Sequence, residues 1–190
     1  TKARLLSTKE QTSLFTSHFT EAHNVVLPVR CAYTYKDVEG VSYLLLTESI
    51  DSIHQGKDTF HHQLSAIRYL NTKTEGMVKK WENSNFQIEN IYHDGTEYSI
   101  SFWTKYFSLV DVNKDGFIEP IIVYGTSGEN GTDNGRVIIM VVYKGNKIAI
   151  RHQNSVLDFQ RNMKIDEAFY TLPLSVQNVM KNAMRKMEQD

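Results

Sequence analysis

Residues 111–119, Asp-Val-Asn-Lys-Asp-Gly-Phe-Ile-Glu, place oxygen-bearing side chains at alternate positions and a glycine among them, so the chain here must close into a tight loop. Asp111, Asn113 and Asp115 can turn side-chain oxygens inward, the carbonyl of Phe117 can supply a fourth donor, Gly116 permits the bend, and Glu119 closes the set directly or through water. Hard oxygen donors with three carboxylates suit Ca2+ and leave the site near charge balance. In an EF-hand loop, about twelve residues long, the last position holds a bidentate glutamate. That position falls on Ile122 here, so the EF-hand reading fails. The competing reading is a plain turn, because Asp, Asn and Gly favour turns without any metal. The regular spacing of the acidic groups favours the ion.

Both flanks of the loop are β-type: Tyr98–Val110 before it and the apolar Pro120–Tyr124 after it. This strand, loop, strand setting resembles the calcium loops of integrin-type β-propeller repeats, which carry the pattern D-x-[DN]-x-D-G-x-x-[DE]. No internal repeat accompanies it, so one loop does not make a propeller.

At 190 residues the chain is expected to form a single globular domain over 1–190 with a sizeable core. Hydrophobic content of 41% fits a folded protein, and no apolar run reaches the roughly 18 residues of a membrane span. With 21 basic and 22 acidic residues the net charge is −1, which gives no electrostatic footprint for nucleic acid or an anionic membrane. A protein or a small molecule is the expected partner. The lone cysteine, Cys31, excludes an intramolecular disulfide and reads as a strand residue in the core. Because the first residue is Thr1, the chain reads as a processed form, with any signal peptide or lipid-attachment cysteine upstream.

Ser7-Thr8-Lys9-Glu10 is a capping-box pattern ahead of Leu14, Phe15 and Phe19, predicting a short N-terminal helix from about residue 8. Strands are expected over Val25–Lys36 and Val41–Glu48, joined by a hairpin loop at Asp37–Gly40. Residues 49–60 read as a loop; Leu64–Leu70, Met77–Trp81 and Phe86–Tyr92 read as further strands, and Asp94-Gly95 as a turn. The apolar phase changes between Phe102 and Trp103, which predicts a bulge or a strand buried on both faces. Gly125–Gly135 reads as a polar surface loop, Arg136–Tyr143 as a central strand turned by Lys144-Gly145-Asn146 into Lys147–His152. Pro173 and the spacing of Leu174, Val176, Val179, Met180, Ala183, Met184 and Met187 predict a C-terminal amphipathic helix packed on the sheet by one apolar face. The order helix, strands, helix predicts α+β with a mainly antiparallel sheet.

His54, Asp58, His61 and His62 could supply a transition metal, but adjacent histidines on a strand face opposite ways and no H-E-x-x-H or H-x-H pattern occurs. His18, His23, His93 and His152 have no partner recognisable in sequence. Nucleophile-elbow, Walker, dinucleotide and kinase signatures are missing, which predicts a protein that is not an enzyme.

The segment from about Tyr98 to Ile150 resembles a family of small bacterial exported lipoproteins designated surface polysaccharide biosynthesis proteins. The resemblance lies in Asp111–Glu119, in Ile122-Val123-Tyr124, and in the stretch from Ile139-Met140 to Lys147-Ile148-Ala149-Ile150-Arg151. It implies an exported location, periplasmic or at the cell surface, and a calcium-type loop; it implies no catalytic residue. The leading expectation is an exported, calcium-stabilised, non-enzymatic binding protein with a protein partner, in particular an immunity protein inhibiting a secreted antibacterial toxin. The alternative is a polysaccharide-binding or biosynthesis accessory protein, for which exposed Trp81, Trp103 or tyrosines would provide stacking surfaces. Partner contact is assigned to the polar loop, residues Ser127, Gly128, Glu129, Asn130, Gly131, Thr132, Asp133 and Asn134.

Overall fold

The structure, a computed structural model, describes residues 3–54, 58–87, 97–128, 131–132, 135–155 and 158–187. It is α+β, with mainly antiparallel sheets, a short N-terminal helix and a C-terminal helix. The chain divides into two compact units, Thr1–Phe86 and Gln87–Asp190. No helix among the described residues is long and apolar enough to cross a membrane.

The first unit opens with a short strand β1 (Arg4–Leu5), then α1 (Thr8–Leu14) and α2 (Ser17–Ala22). The capping box is formed: Glu10 N–H donates to Ser7 Oγ, and Ser7 N–H donates to the Glu10 carboxylate. Thr16 caps α2 by accepting from Phe19 N–H, without a reciprocal bond. Strands β2 (Val29–Asp37), β3 (Gly40–Glu48), β6 (Gln63–Thr72) and β7 (Gly76–Phe86) complete a sheet of order β1-β2-β3-β6-β7. Between them, β4 (Ser52–His54) and β5 (Asp58–Phe60) pair as a separate hairpin where the sequence reads as a loop. The two strands expected over 77–81 and 86–92 are one continuous β7 as far as Phe86; residues 88–96, with the Asp94-Gly95 turn, lie outside the described residues.

Ala32, Leu45 and Ile67 stand in one cross-strand row, which α1 and α2 cover with Phe15 and Phe19. Phe19 and Phe15 meet edge-on at 5.3 Å, and Phe19 meets Tyr69 at 5.2 Å, geometries that aromatic quadrupoles favour. Leu44, Leu45 and Leu46 are all fully buried, so β3 is covered on both faces. Cys31 lies half-buried on β2 as a free thiol, its pKa pushed up by burial.

The second unit is a sheet of order β13-β12-β11-β10-β8, built from β8 (Glu97–Phe102), β10 (Glu119–Gly128), β11 (Arg136–Tyr143), β12 (Asn146–Gln153) and β13 (Asn162–Ile165). β9 (Ser108–Val110) also pairs with β10. β11 is central, as its apolar sequence requires. Tyr143 pairs with Asn146, leaving Lys144 and Gly145 at φ 47° and 80° as a two-residue turn matched to strand twist.

The phase change at Phe102 and Trp103 is neither a bulge nor a doubly buried strand. β8 ends at Phe102, Trp103 precedes a 3₁₀ turn over Thr104–Tyr106, and β9 restarts in a new phase. The C-terminal helix α3 (Leu174–Met187) lays Val176, Met180 and Ala183 on the row Ile121, Val123, Ile139, Val141, Ile148 and Ile150.

Candidate metal centre

The loop 111–118 joins β9 to β10, whose register places Val110 opposite Glu119 and Leu109 opposite Pro120. The turn must therefore form entirely within those eight residues. Lys114 and Gly116 take φ of 62° and 91°, and the left-handed geometry at both lets the backbone fold inward. Asp111 stabilises this path by accepting from Asp115 N–H at 3.1 Å and from Gly116 N–H at 2.9 Å. Asn113 Oδ1 accepts from Asp115 N–H at 2.9 Å, its amide donates to Asp115 Oδ2 at 2.9 Å, and Phe117 N–H donates to Asp115 Oδ1 at 3.0 Å.

This arrangement brings Asp111, Asp115 and Glu119 together, each offering a carboxylate oxygen within 4.8 Å of the others. Asn113 is tied to Asp115 within the same loop, while the side chain of Phe117 points away and is 46% exposed. Glu119 differs from its neighbours. It opens β10 in the strand row continued by Ile121 and Val123, and only 2% of its surface is exposed. Its Oε2 accepts from Val112 N–H at 2.8 Å, but its Oε1 is buried without a hydrogen-bond partner among the described residues. Burial raises the Glu119 pKa against the opposing Val112 hydrogen bond, and the charges of Asp115 and Asp111 raise it further. A buried carboxylate beside two others is costly unless a cation joins it. The donors are all hard oxygens, the set that fits Ca2+.

The histidine group reads differently. His61 Nδ1 bonds the carbonyl of Ser49, His62 Nδ1 meets Asp51 Oδ1 at 2.5 Å, and Arg30 pairs with the buried Glu48. The two histidine contacts hold the residues before β6 to those after β3, the Arg30–Glu48 pair joins β2 to β3, and His61 and His62 keep separate partners.

The expected partner loop is shorter than its composition implies. Ser127 and Gly128 belong to β10, and Gly128 and Gly131 exchange backbone hydrogen bonds of 2.8 and 3.0 Å. Glu129, Asn130, Asp133 and Asn134 lie outside the described residues. A Cβ at Gly125 would stand 2.6 Å from Trp103 Cζ2, and one at Gly135 would stand 1.9 Å from the carbonyl oxygen of Thr126. These glycines therefore permit close packing, which composition alone presents as flexibility. The fold also brings in Glu97, absent from the sequence reading: it is 4% exposed, accepts from Thr126 Oγ1 at 2.9 Å and is gripped by both Nε and NH2 of Arg136. Only its distance in sequence from Arg136 hid that pair.

Comparison with protein-family models, with curated proteins and with solved structures finds no match to this chain.

Proposed function

We propose that this chain is a calcium-binding protein whose second unit is fastened by an ion held between Asp111, Asn113, Asp115 and Glu119, with the Phe117 carbonyl completing the protein donors. The observation that carries the reading is Glu119 Oε1, a buried oxygen without a partner among the described residues, beside two further carboxylates. Hydrogen bonds within the loop account for Asp111 and Asp115 without an ion, but they leave that atom unsatisfied. A cation supplies what the loop itself does not.

A site with three carboxylates in a short loop belongs with the weaker calcium modules, at roughly 0.1 to 1 mM. Such an affinity suits calcium-rich surroundings outside the cytoplasm and supports the exported, periplasmic or cell-surface reading. Within it, the chain acts as a non-enzymatic binding protein on a protein partner, the proposed version being an immunity protein against a secreted toxin. The polysaccharide alternative draws on the exposed Tyr98 and Tyr170, since Trp81 and Trp103 are half-buried.

Calorimetric titration of calcium into chelator-treated protein tests the metal assignment. The expected result is one site, absent in Asp115→Ala; an unchanged isotherm in that variant would place the ion elsewhere. Co-purification with the product of a neighbouring toxin gene tests the partner, and glycan turnover by the purified chain would overturn the binding-protein reading.

A further inference from the structure

A cavity of about 220 Å³ lies within the second unit, walled by Trp103, Val137, Ile139, Ile150, Met184 and Met187. The sheet forms one wall, which runs from the paired Ile139 and Ile150 to the next same-face pair, Val137 and His152. The last turns of α3 add Met184 and Met187. Trp103 is fixed by its backbone N–H, which donates to the Val123 carbonyl at 2.9 Å, and by its ring, which lies so close to Gly125 that no side chain fits between them.

The walls are not equally covered. Ile139 and Ile150 are buried in the core under α3, whereas Trp103, Val137, Met184 and Met187 pack against that core and stay only partly buried. Accessible apolar surface is thus gathered around one space, and an apolar occupant would remove it from water. Among the described residues no Asp, Glu, Lys or Arg lines the cavity. Its polar groups lie close to one another: the Asn154 amide donates to the Thr132 carbonyl at 3.3 Å, and Asn154 Oδ1 lies 3.4 Å from His152 Nε2. A charged guest would leave water for a wall that carries no carboxylate, ammonium or guanidinium to pair with it.

We infer that this cavity is a binding site for a small neutral apolar molecule of about one aromatic ring, held by packing alone. The volume fits, since a cavity of roughly 150 Å³ already admits benzene. A fixed indole offers a flat ring its edge or face, and the flexible thioethers of Met184 and Met187 adapt to the outline of the guest.

The test uses the whole chain with methyl-labelled methionine, titrated separately with toluene, benzoate and benzylammonium. The expected result is saturable shifts of Met184 and Met187 on adding toluene, with Met77 of the first unit unmoved. Each charged probe should bind at least about tenfold more weakly than toluene. Val137→Phe, which fills the cavity from the sheet, should abolish the toluene response. Met187→Trp fills it from the end of α3 and keeps the test decisive if Val137→Phe does not fold. The absence of saturable shifts, a charged probe bound as tightly as toluene, or full toluene binding by either folded variant would overturn the site.

Discussion

Glu119 begins a strand whose same-face neighbours are Ile121 and Val123, a position that an apolar residue would fill at lower cost in the metal-free protein. Burial and the nearby charges of Asp115 and Asp111 raise its pKa. The favourable protonated form is fully present below the ordinary carboxylate value, and its contribution is lost as pH rises through the raised value. Metal-free protein should therefore lose this contribution with rising pH across that window, and calcium should restore stability above it. Glu119→Gln should be more stable than the native chain in chelator at neutral pH and insensitive to added calcium. Urea unfolding of both proteins, with chelator and with calcium, measures this; a variant less stable than native in chelator would mean that the buried charge is satisfied without an ion. Gly125 permits a separate test. Gly125→Ala should cost about 1–3 kcal/mol, because the new methyl meets both the Trp103 ring and the Arg136 carbonyl at under 3 Å. Denaturant midpoints read that cost directly.

Among the elements, those with a local signal were legible in the sequence. Ser7 and Glu10 form the reciprocal bonds their spacing encodes, and Lys144-Gly145 makes the turn its glycine announces. The apolar stripe of α3 is buried at Val176, Met180 and Ala183, whereas Leu174, which the spacing also assigns to that face, is 74% exposed in the first turn. Met180→Ala should thus cost about 2–5 kcal/mol, and Leu174→Ala should stay within about 0.5 kcal/mol of native, as equilibrium unfolding would show. What misled the reading was chemistry with more than one structural use. Gly125, Gly128 and Gly135 resemble a mobile loop in sequence but serve close backbone packing and a tight hairpin. Polar residues 49–60 resemble a loop because β4 and β5 are too short to show periodicity. The spacing at 111–119 announced a tight acidic loop, and the fold does bring Asp111, Asp115 and Glu119 together, but the burial of Glu119 was not legible: only its pairing register beside Val110 reveals that the last acidic residue belongs to the sheet.

For the whole molecule, the division at Phe86 and Gln87 leaves no composition shift or Gly-rich linker to mark it, so the sequence reads as one unit. The loop 111–118 belongs wholly to the second unit, whose strands β9 and β10 it joins. Calcium should slow amide exchange chiefly in β9, β10 and the loop between them; uniform slowing throughout both units would instead indicate that the ion acts on global unfolding. With a Kd of about 0.1 mM, about 1 mM calcium adds on the order of 1.4 kcal/mol by mass action, enough to move the melting temperature by a few degrees. The most direct measurement is a crystal structure grown in millimolar calcium. An ion bound by Asp111, Asp115 and Glu119 at about 2.3–2.6 Å, with Glu119 Oε1 among its ligands, is the predicted result. A loop that keeps its internal hydrogen bonds around no ion, with Glu119 Oε1 still buried and unpartnered, would contradict it.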